Sequence, residues 1–181
     1  MSFRKFKIFS LELLESILLS LIIILPIRFF IIQPFFVKGQ SMEPNFHEND
    51  YLIVDELSFR LRQPGRGEVI VLRSPIQENY FFIKRIVGLP GETIEIKNSQ
   101  ITVYSEEYPQ GLVLSEPYLA KEITTEGNFR IEVGDNQYFV LGDNRSASYD
   151  SRRWGLLGGE DIIGRVWLRL WPIKAATVFA Q

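Results

Sequence analysis

Tyr80-Phe81-Phe82-Ile83-Lys84-Arg85-Ile86-Val87 is the stretch on which the reading of the fold turns. In an extended chain, successive side chains point to opposite faces, so Lys84 shares one face with Phe82 and Ile86. Arg85 shares the other with Phe81, Ile83 and Val87. Aromatic and β-branched residues dominate the run, and Pro90-Gly91 punctuates its end, which marks a strand. If the strand is central, one of its two cations faces mostly apolar surroundings. Burial disfavours an ammonium ion, so a buried lysine falls from its usual pKa of about 10.4. A drop of about two to three units corresponds to roughly 3–4 kcal/mol, and its usual use is a lysine acting as general base. If the strand is an edge, Lys84 reaches water instead. The strand alone leaves both readings open.

Working outward, other segments read as short strands. Residues 51–54 follow the turn-prone Glu48-Asn49-Asp50, and residues 68–73 are β-branched and read as buried. A charged connection over 55–67, ending in a Pro64-Gly65 turn, joins them. Residues 93–97 and 100–104 flank Asn98-Ser99 as a tight hairpin. Residues 105–129 are mixed and turn-rich, a surface excursion. Residues 130–133 and 137–141 flank Gly134-Asp135-Asn136 as a second hairpin. Over 164–170, Val166, Leu168 and Leu170 alternate with arginine or tryptophan, as in a half-buried strand. The expectation is seven or eight strands in an all-β domain, a coiled sheet or barrel-like, with no strong amphipathic helix.

Before these strands, residues 13 to 32 are nearly all apolar, interrupted mainly by Glu15, Ser16, Ser20, Pro26 and Arg28. As a helix they span roughly 30 Å, the thickness of a bilayer core. Arg4, Lys5 and Lys7 precede them without an acid, which sets the N-terminus inside and the domain outside. A cleaved signal peptide is the rival. The run ends in Phe35-Phe36-Val37-Lys38-Gly39-Gln40, with no small-x-small cleavage site, which favours an uncleaved anchor. The expected organisation is a short cytoplasmic stretch over 1–12, a transmembrane anchor over 13–34 and an extracytoplasmic β-rich domain over 35–181.

Composition excludes several chemistries. The net charge of −2 gives no basic excess for nucleic acid. There is no cysteine, hence no disulfide or thiol nucleophile, and His47 is the lone histidine, which argues against a zinc site. No metal and no cofactor are expected. His47 lies six residues from Ser41, close in sequence and exposed in character, and is not favoured as a base.

Two polar stretches stand out. Gly39-Gln40-Ser41-Met42-Glu43-Pro44 sits where the apolar run meets the domain, and Ser41 reads there as a loop hydroxyl or a nucleophile. Gly142-Asp143-Asn144-Arg145-Ser146-Ala147-Ser148-Tyr149-Asp150-Ser151-Arg152 follows an apolar strand and is almost wholly polar. Its acids lie among arginines, which favours ion pairing over a cation site, though a solvated loop has the same composition.

Together these stretches resemble the type I signal peptidase (leader peptidase) family. SMEP at 41–44, KRIVGLPGE at 84–92 and GDNRSASYDSR at 142–152 occur in that family's order behind an N-terminal anchor, and Arg66-Gly67-Glu68-Val69 resembles its Arg-Gly-Asp-x-Val stretch. The resemblance implies a membrane-anchored serine endopeptidase with Ser41 as nucleophile and Lys84 as general base through an acyl-enzyme. It implies that Ser148 orients the lysine. Gly142, Asp143, Asn144, Arg145, Asp150 and Arg152 would brace the site, with Asp150 and Arg152 as a pair. Phe35, Val37 and Ile83, with Gly39 and Gln40, fall at the pocket for small side chains, and Met42 is expected at the membrane. The implied partners are signal peptides of secreted preproteins cut after Ala-x-Ala, the lipid bilayer and the export machinery, with no nucleic acid. The implied location is the cell membrane or an internal energy-transducing membrane. Two positions depart from the pattern: Gly39 lacks the hydroxyl some members carry there, and Asn45 replaces a more usual threonine. Two rivals remain, a Ser–Lys autoprotease resembling the self-cleaving repressors of the DNA-damage response, and a non-catalytic anchored binding domain.

Overall fold

The computed structural model describes residues 3–30 and 32–179. Helix α1 (Phe3–Phe30) opens the chain. Within it Ser16 Oγ donates to Glu12 O at 2.9 Å and Ser20 Oγ to Ser16 O at 2.8 Å, so both hydroxyls are satisfied inside the helix. Among the described residues no helix is long and apolar enough to cross a membrane. The side chains of Arg4, Lys5, Lys7 and Arg28, and residue Ile31, lie outside the described residues, so the expectations placed on them lie there too.

After α1 come β1 (Ile32–Phe36), β2 (Tyr51–Asp55), a short α2 (Ser58–Leu61), β3 (Val69–Arg73), β4 (Phe81–Gly88), β5 (Thr93–Lys97), β6 (Gln100–Tyr104) and β7 (Leu112–Val113). Then follow β8 (Phe129–Glu132), β9 (Gln137–Leu141), α3 (Ser151–Trp154), β10 (Leu157–Gly158), β11 (Ile162–Trp171) and β12 (Thr177–Val178). The larger sheet runs β1-β2-β11-β3-β4-β9-β10 with β12 on β11, and the smaller runs β7-β6-β5-β8. Its terminal strands β1 and β10 do not pair with each other, so the larger sheet is not a closed barrel.

The expected count of seven or eight strands falls short of the twelve described. The additions are β1, where the apolar run was read as continuing anchor, and the two-residue strands β7, β10 and β12, too short for any periodicity to register. The hairpin at Asn98-Ser99 forms, with Lys97 opposite Gln100 and both turn residues at positive φ.

The second expected hairpin does not form. Gln137 N still donates to Gly134 O at 3.1 Å, so the turn exists, but β8 pairs with β5 in the small sheet and β9 with β4 in the large one. The backbone of Val133 is already bonded to Glu92 O and Gly91 N, which steers the chain from one sheet to the other. The alternation expected over 164–170 also breaks. Register shifts between Val166 and Leu168 and between Arg169 and Trp171 leave Val166 buried and Leu170 exposed.

Three apolar clusters form the core. Met42, Phe46, Leu52, Val54, Val71 and Ile83 belong to one that lies under the Ser41 turn. Ile94, Ile96, Val103, Phe139 and Leu141 fill the space between the sheets, and Ile70, Leu72, Ile86 and Val140 pack the third. Each fully buried Ile or Leu contributes about 1.5–3 kcal/mol by leaving water. The consequence for the site is a rigid β4, held between β3 and β9.

Candidate active site

Strand β4 carries Lys84 into the interior, where it is 3% exposed. Lys84 is buried as the central-strand reading expects and does not reach water as the edge-strand alternative would have it, although over residues 81–84 β4 pairs with β3 alone. Lys84 Nζ donates to Ser41 Oγ at 2.9 Å and to Ile83 O at 2.9 Å, and it lies 5.3 Å from the centre of the Phe82 ring. Burial pushes the Lys84 ammonium down to about 8, opposed by the negative charges of Asp150 and Asp143. At that value an appreciable neutral fraction exists near neutrality, with a lone pair within reach of the serine hydroxyl.

Ser41 is held from below by its neighbours. Met42 (1% exposed) and Phe46 plug the adjoining turn into the core, and Phe46 N closes on Met42 O at 2.9 Å. The expectation of Met42 at the membrane is corrected here: its side chain is buried in the domain, and its sulfur accepts from Asp143 N. Ser41 O accepts from Asn144 N at 3.1 Å, while Gln40 O accepts from Asn144 Nδ2 at 3.1 Å. Among the described residues, the Ser41 N–H has no hydrogen-bond acceptor. Gly39 has φ +81°, a conformation strained for other residues, and open space where a Cβ would be. The absence of a side chain there goes with the backbone it must adopt.

The loop from 142 to 152 is held by ion pairs and is not a solvated one. Asp143 is fully buried and takes Arg85 Nε on Oδ1 at 2.8 Å and Arg85 Nη2 on Oδ2 at 2.6 Å. Asp150, equally buried, takes Arg152 Nε at 2.8 Å and Gly142 N at 3.1 Å. Arg152 Nη2 also donates to Arg145 O at 2.6 Å. Arg145 reaches back to Gly142 O and outward to Glu116 and Thr125. Gly142 packs so closely that a Cβ would lie 2.2 Å from Ser148 Oγ and 2.4 Å from Ser41 O. Ser148 therefore sits beside the serine turn, but among the described residues its buried Oγ has no hydrogen-bond partner, and the bond to Lys84 implied by resemblance is not formed.

Phe35, Val37 and Ile83 line one cleft of about 580 Å³ together with Ser41, Lys84, Leu52 and Val71. Gly39 and Gln40 do not line it. Strand β4 pairs with β9 only from Arg85 onward, so β9 does not cover the backbone of residues 81–84. His47 is exposed. Among the described residues no group of acids and His could hold a metal ion.

Sequence reasoning missed several supports. Asn45, noted only as a departure, donates from Nδ2 to Asp143 Oδ2 at 2.8 Å and to Tyr118 O at 2.9 Å. Arg85 was read as the other cation of β4, yet it carries Asp143 and stacks 4.0 Å from the centre of the Tyr118 ring. Glu116, Tyr118 and Thr125 come from the excursion read as mere surface.

Comparison with known proteins bears on this geometry. Residues 10–171 match the model of a family described as signal peptidase, peptidase S26. A probable signal peptidase I-2 of Synechocystis is 38% identical over 90% of this chain and 74% of its own length. The signal peptidase I of Bacillus amyloliquefaciens is 35% identical over 85% of this chain and 84% of its own. A crystal structure of a signal peptidase I from Enterococcus faecalis aligns over 58% of this chain and 97% of its own, with 30% identity and a TM-score of 0.48.

Proposed function

The chain belongs to the signal peptidase family, peptidase S26, as a signal peptidase I hydrolase that removes signal peptides, and we propose that it does so with a Ser41–Lys84 dyad. The observation that carries the proposal is the 2.9 Å contact between Lys84 Nζ and Ser41 Oγ, made by a lysine that is buried and depressed to about 8. Neutral Lys84 takes the Ser41 proton as Oγ attacks the scissile carbonyl, and an acyl-enzyme forms. The lysine then hands that proton to the leaving amine and activates the water that releases the acyl group. The free Ser41 N–H is suited to the oxyanion, and one such donor is worth roughly 3–4 kcal/mol.

Substrate selection follows from the cleft. Its walls at Phe35, Val37, Leu52, Val71 and Ile83 are apolar, which suits small side chains such as alanine upstream of the scissile bond. The stretch of β4 beyond the end of β9 offers backbone groups to an extended peptide.

We further assign α1 from Leu13 to its end at Phe30 as the membrane anchor, with residues 1–12 inside and the domain from β1 onward on the far side. Support comes from Leu11, Leu14, Leu18 and Ile22, which are 51–67% exposed on a helix that buries none of them. A contiguous apolar face of that kind marks a lipid or partner contact. The bilayer and the export machinery are then the partners.

Incubating detergent-solubilised protein with a preprotein whose signal ends in Ala-x-Ala tests the dyad. Cleavage after the second alanine by the parent, and by neither Ser41→Ala nor Lys84→Ala, is expected. Cleavage that survives Lys84→Ala removes the lysine from the mechanism.

A further inference from the structure

A second cleft, of about 590 Å³, shares no lining residue with the one at Ser41. It lies at the end of the large sheet where α1 enters. β1 begins two residues after α1 ends, with Ile32 opposite Asp55 and Gln33 opposite Val54, and Asp55 in turn lies opposite Arg165 on β11. At the same end, Ile162 pairs with Leu72, next to Arg73. Gln33, Glu56, Arg60, Arg73, Asn136 and Tyr138 all line the cleft.

Of the three arginines that line it, Arg60, Arg62 and Arg73, only Arg62 is ion-paired, and among the described residues Arg130 and Arg153 elsewhere also lack a carboxylate partner. Arg62, Arg66, Arg85, Arg145, Arg152, Arg165 and Arg169 are each ion-paired. Among the described residues Arg60 and Arg73 have no carboxylate partner, and the one bond Arg73 makes is from Nη1 to Glu160 O at 3.3 Å. Two acids also line the cleft. Glu160 accepts from Asn136 Nδ2 at 3.3 Å, whereas Glu56 Oε1 is buried and has no hydrogen-bond partner among the described residues. A buried carboxylate oxygen in that state needs a donor. A bare anion would satisfy the arginines and leave Glu56 as it is.

The rim carries a third feature. Leu57 and Leu61, 37% and 81% exposed, bracket Arg60 along α2. Exposed leucines interleaved with arginines are the pattern of a segment that lies in a membrane interface, its apolar side chains among acyl groups and its cations at phosphates.

We propose that this cleft binds the headgroup of an anionic polyol phospholipid at the point where the anchor leaves the bilayer, and the proposal rests on the reading of α1 as that anchor. Arg60 and Arg73 take the phosphodiester, Glu56 accepts from a headgroup hydroxyl, and Leu57 and Leu61 enter the acyl layer. The site is separate from the dyad and orients the domain over the membrane.

The test uses the full chain reconstituted in vesicles of mixed phosphatidylglycerol and phosphatidylcholine, extracted gently and weighed with its retained lipid by native mass spectrometry. Preferential retention of phosphatidylglycerol is expected, and Arg60→Gln with Arg73→Gln should lower that occupancy at least tenfold, since each charged contact is worth about a factor of ten. Both arginines are exposed, so melting temperature and preprotein cleavage in detergent should stay at parental values. Equal retention of the two lipids, or retention unchanged by the double variant, overturns the site. Binding of inorganic phosphate without retained lipid assigns it to a free anion and overturns the lipid. Alkaline washing reads the anchor separately. Protein stripped from the vesicles overturns the anchor and this proposal with it, whereas embedded protein without lipid preference overturns the headgroup site alone.

Discussion

Arg85 holds Asp143 by both carboxylate oxygens, at 2.8 and 2.6 Å, and so joins the strand position after Lys84 to the loop position after Gly142. The pair is almost without solvent, with side chains 11% and 0% exposed. Removing one partner of such a pair strands the other charge, at a loss of roughly 3–5 kcal/mol. Asp143→Asn should therefore lower stability by about that amount in denaturant titration. Asp143 also favours the Lys84 ammonium, so whatever activity persists should shift its pH midpoint downward. An unchanged midpoint would remove Asp143 from the electrostatics of the lysine.

The pH profile of kcat/KM follows from the lysine itself. Only neutral Lys84 can take the Ser41 proton, and burial sets its loss of charge at about 8. The rate should climb with pH, reach half its plateau near that value, and show no dependence on His47. A profile flat from about pH 6 to 10 would speak against a lysine base.

Lys84→Met should abolish cleavage yet stabilise the fold at neutral pH. The folded-state value of about 8 lies below the unfolded 10.5, so below 8 both states carry the proton and the folded state bears the whole burden of a buried charge. As pH rises through that window the folded lysine sheds its proton first, and the parent gains stability. The Met variant should exceed the parent by about 1–2 kcal/mol at pH 7, after allowance for two lost hydrogen bonds. The gap should close by about pH 10, and thermal melts across that range would read it.

Gly142→Ala places a methyl group where Ser148 Oγ and the Ser41 carbonyl already stand. One of them must move, and displacement of a nucleophile by about an ångström lowers rate roughly a hundredfold. Single-turnover kinetics on the folded variant should find the loss in the chemical step, with substrate binding largely kept.

The parts of this molecule legible from sequence are those fixed by short-range physics. Aromatic and β-branched neighbours put Lys84 on a strand, and Asn98-Ser99 announced a tight turn whose residues do adopt positive φ. Partner choice is different, because it depends on what the rest of the chain has already paired. Gly134-Asp135-Asn136 reads as a hairpin from its own residues, and only the prior engagement of Val133 with Glu92 sends the two strands to different sheets. Glu116 and Tyr118 were illegible for a related reason: in a turn-rich segment, an acid that will ion-pair with a buried arginine has the same neighbours as one that faces water. Met42 was misplaced because proximity to an apolar run says nothing about which way a side chain turns.

The Ser41 carbonyl bonded to Asn144 has a consequence for timing. The ribosome delivers Ser41 first, Lys84 after forty-odd further residues, and the loop that caps the serine turn after about a hundred, so the site stays incomplete until that loop has emerged. A protease of this family thus has its candidate site complete only after the loop over 142–152 has been translated.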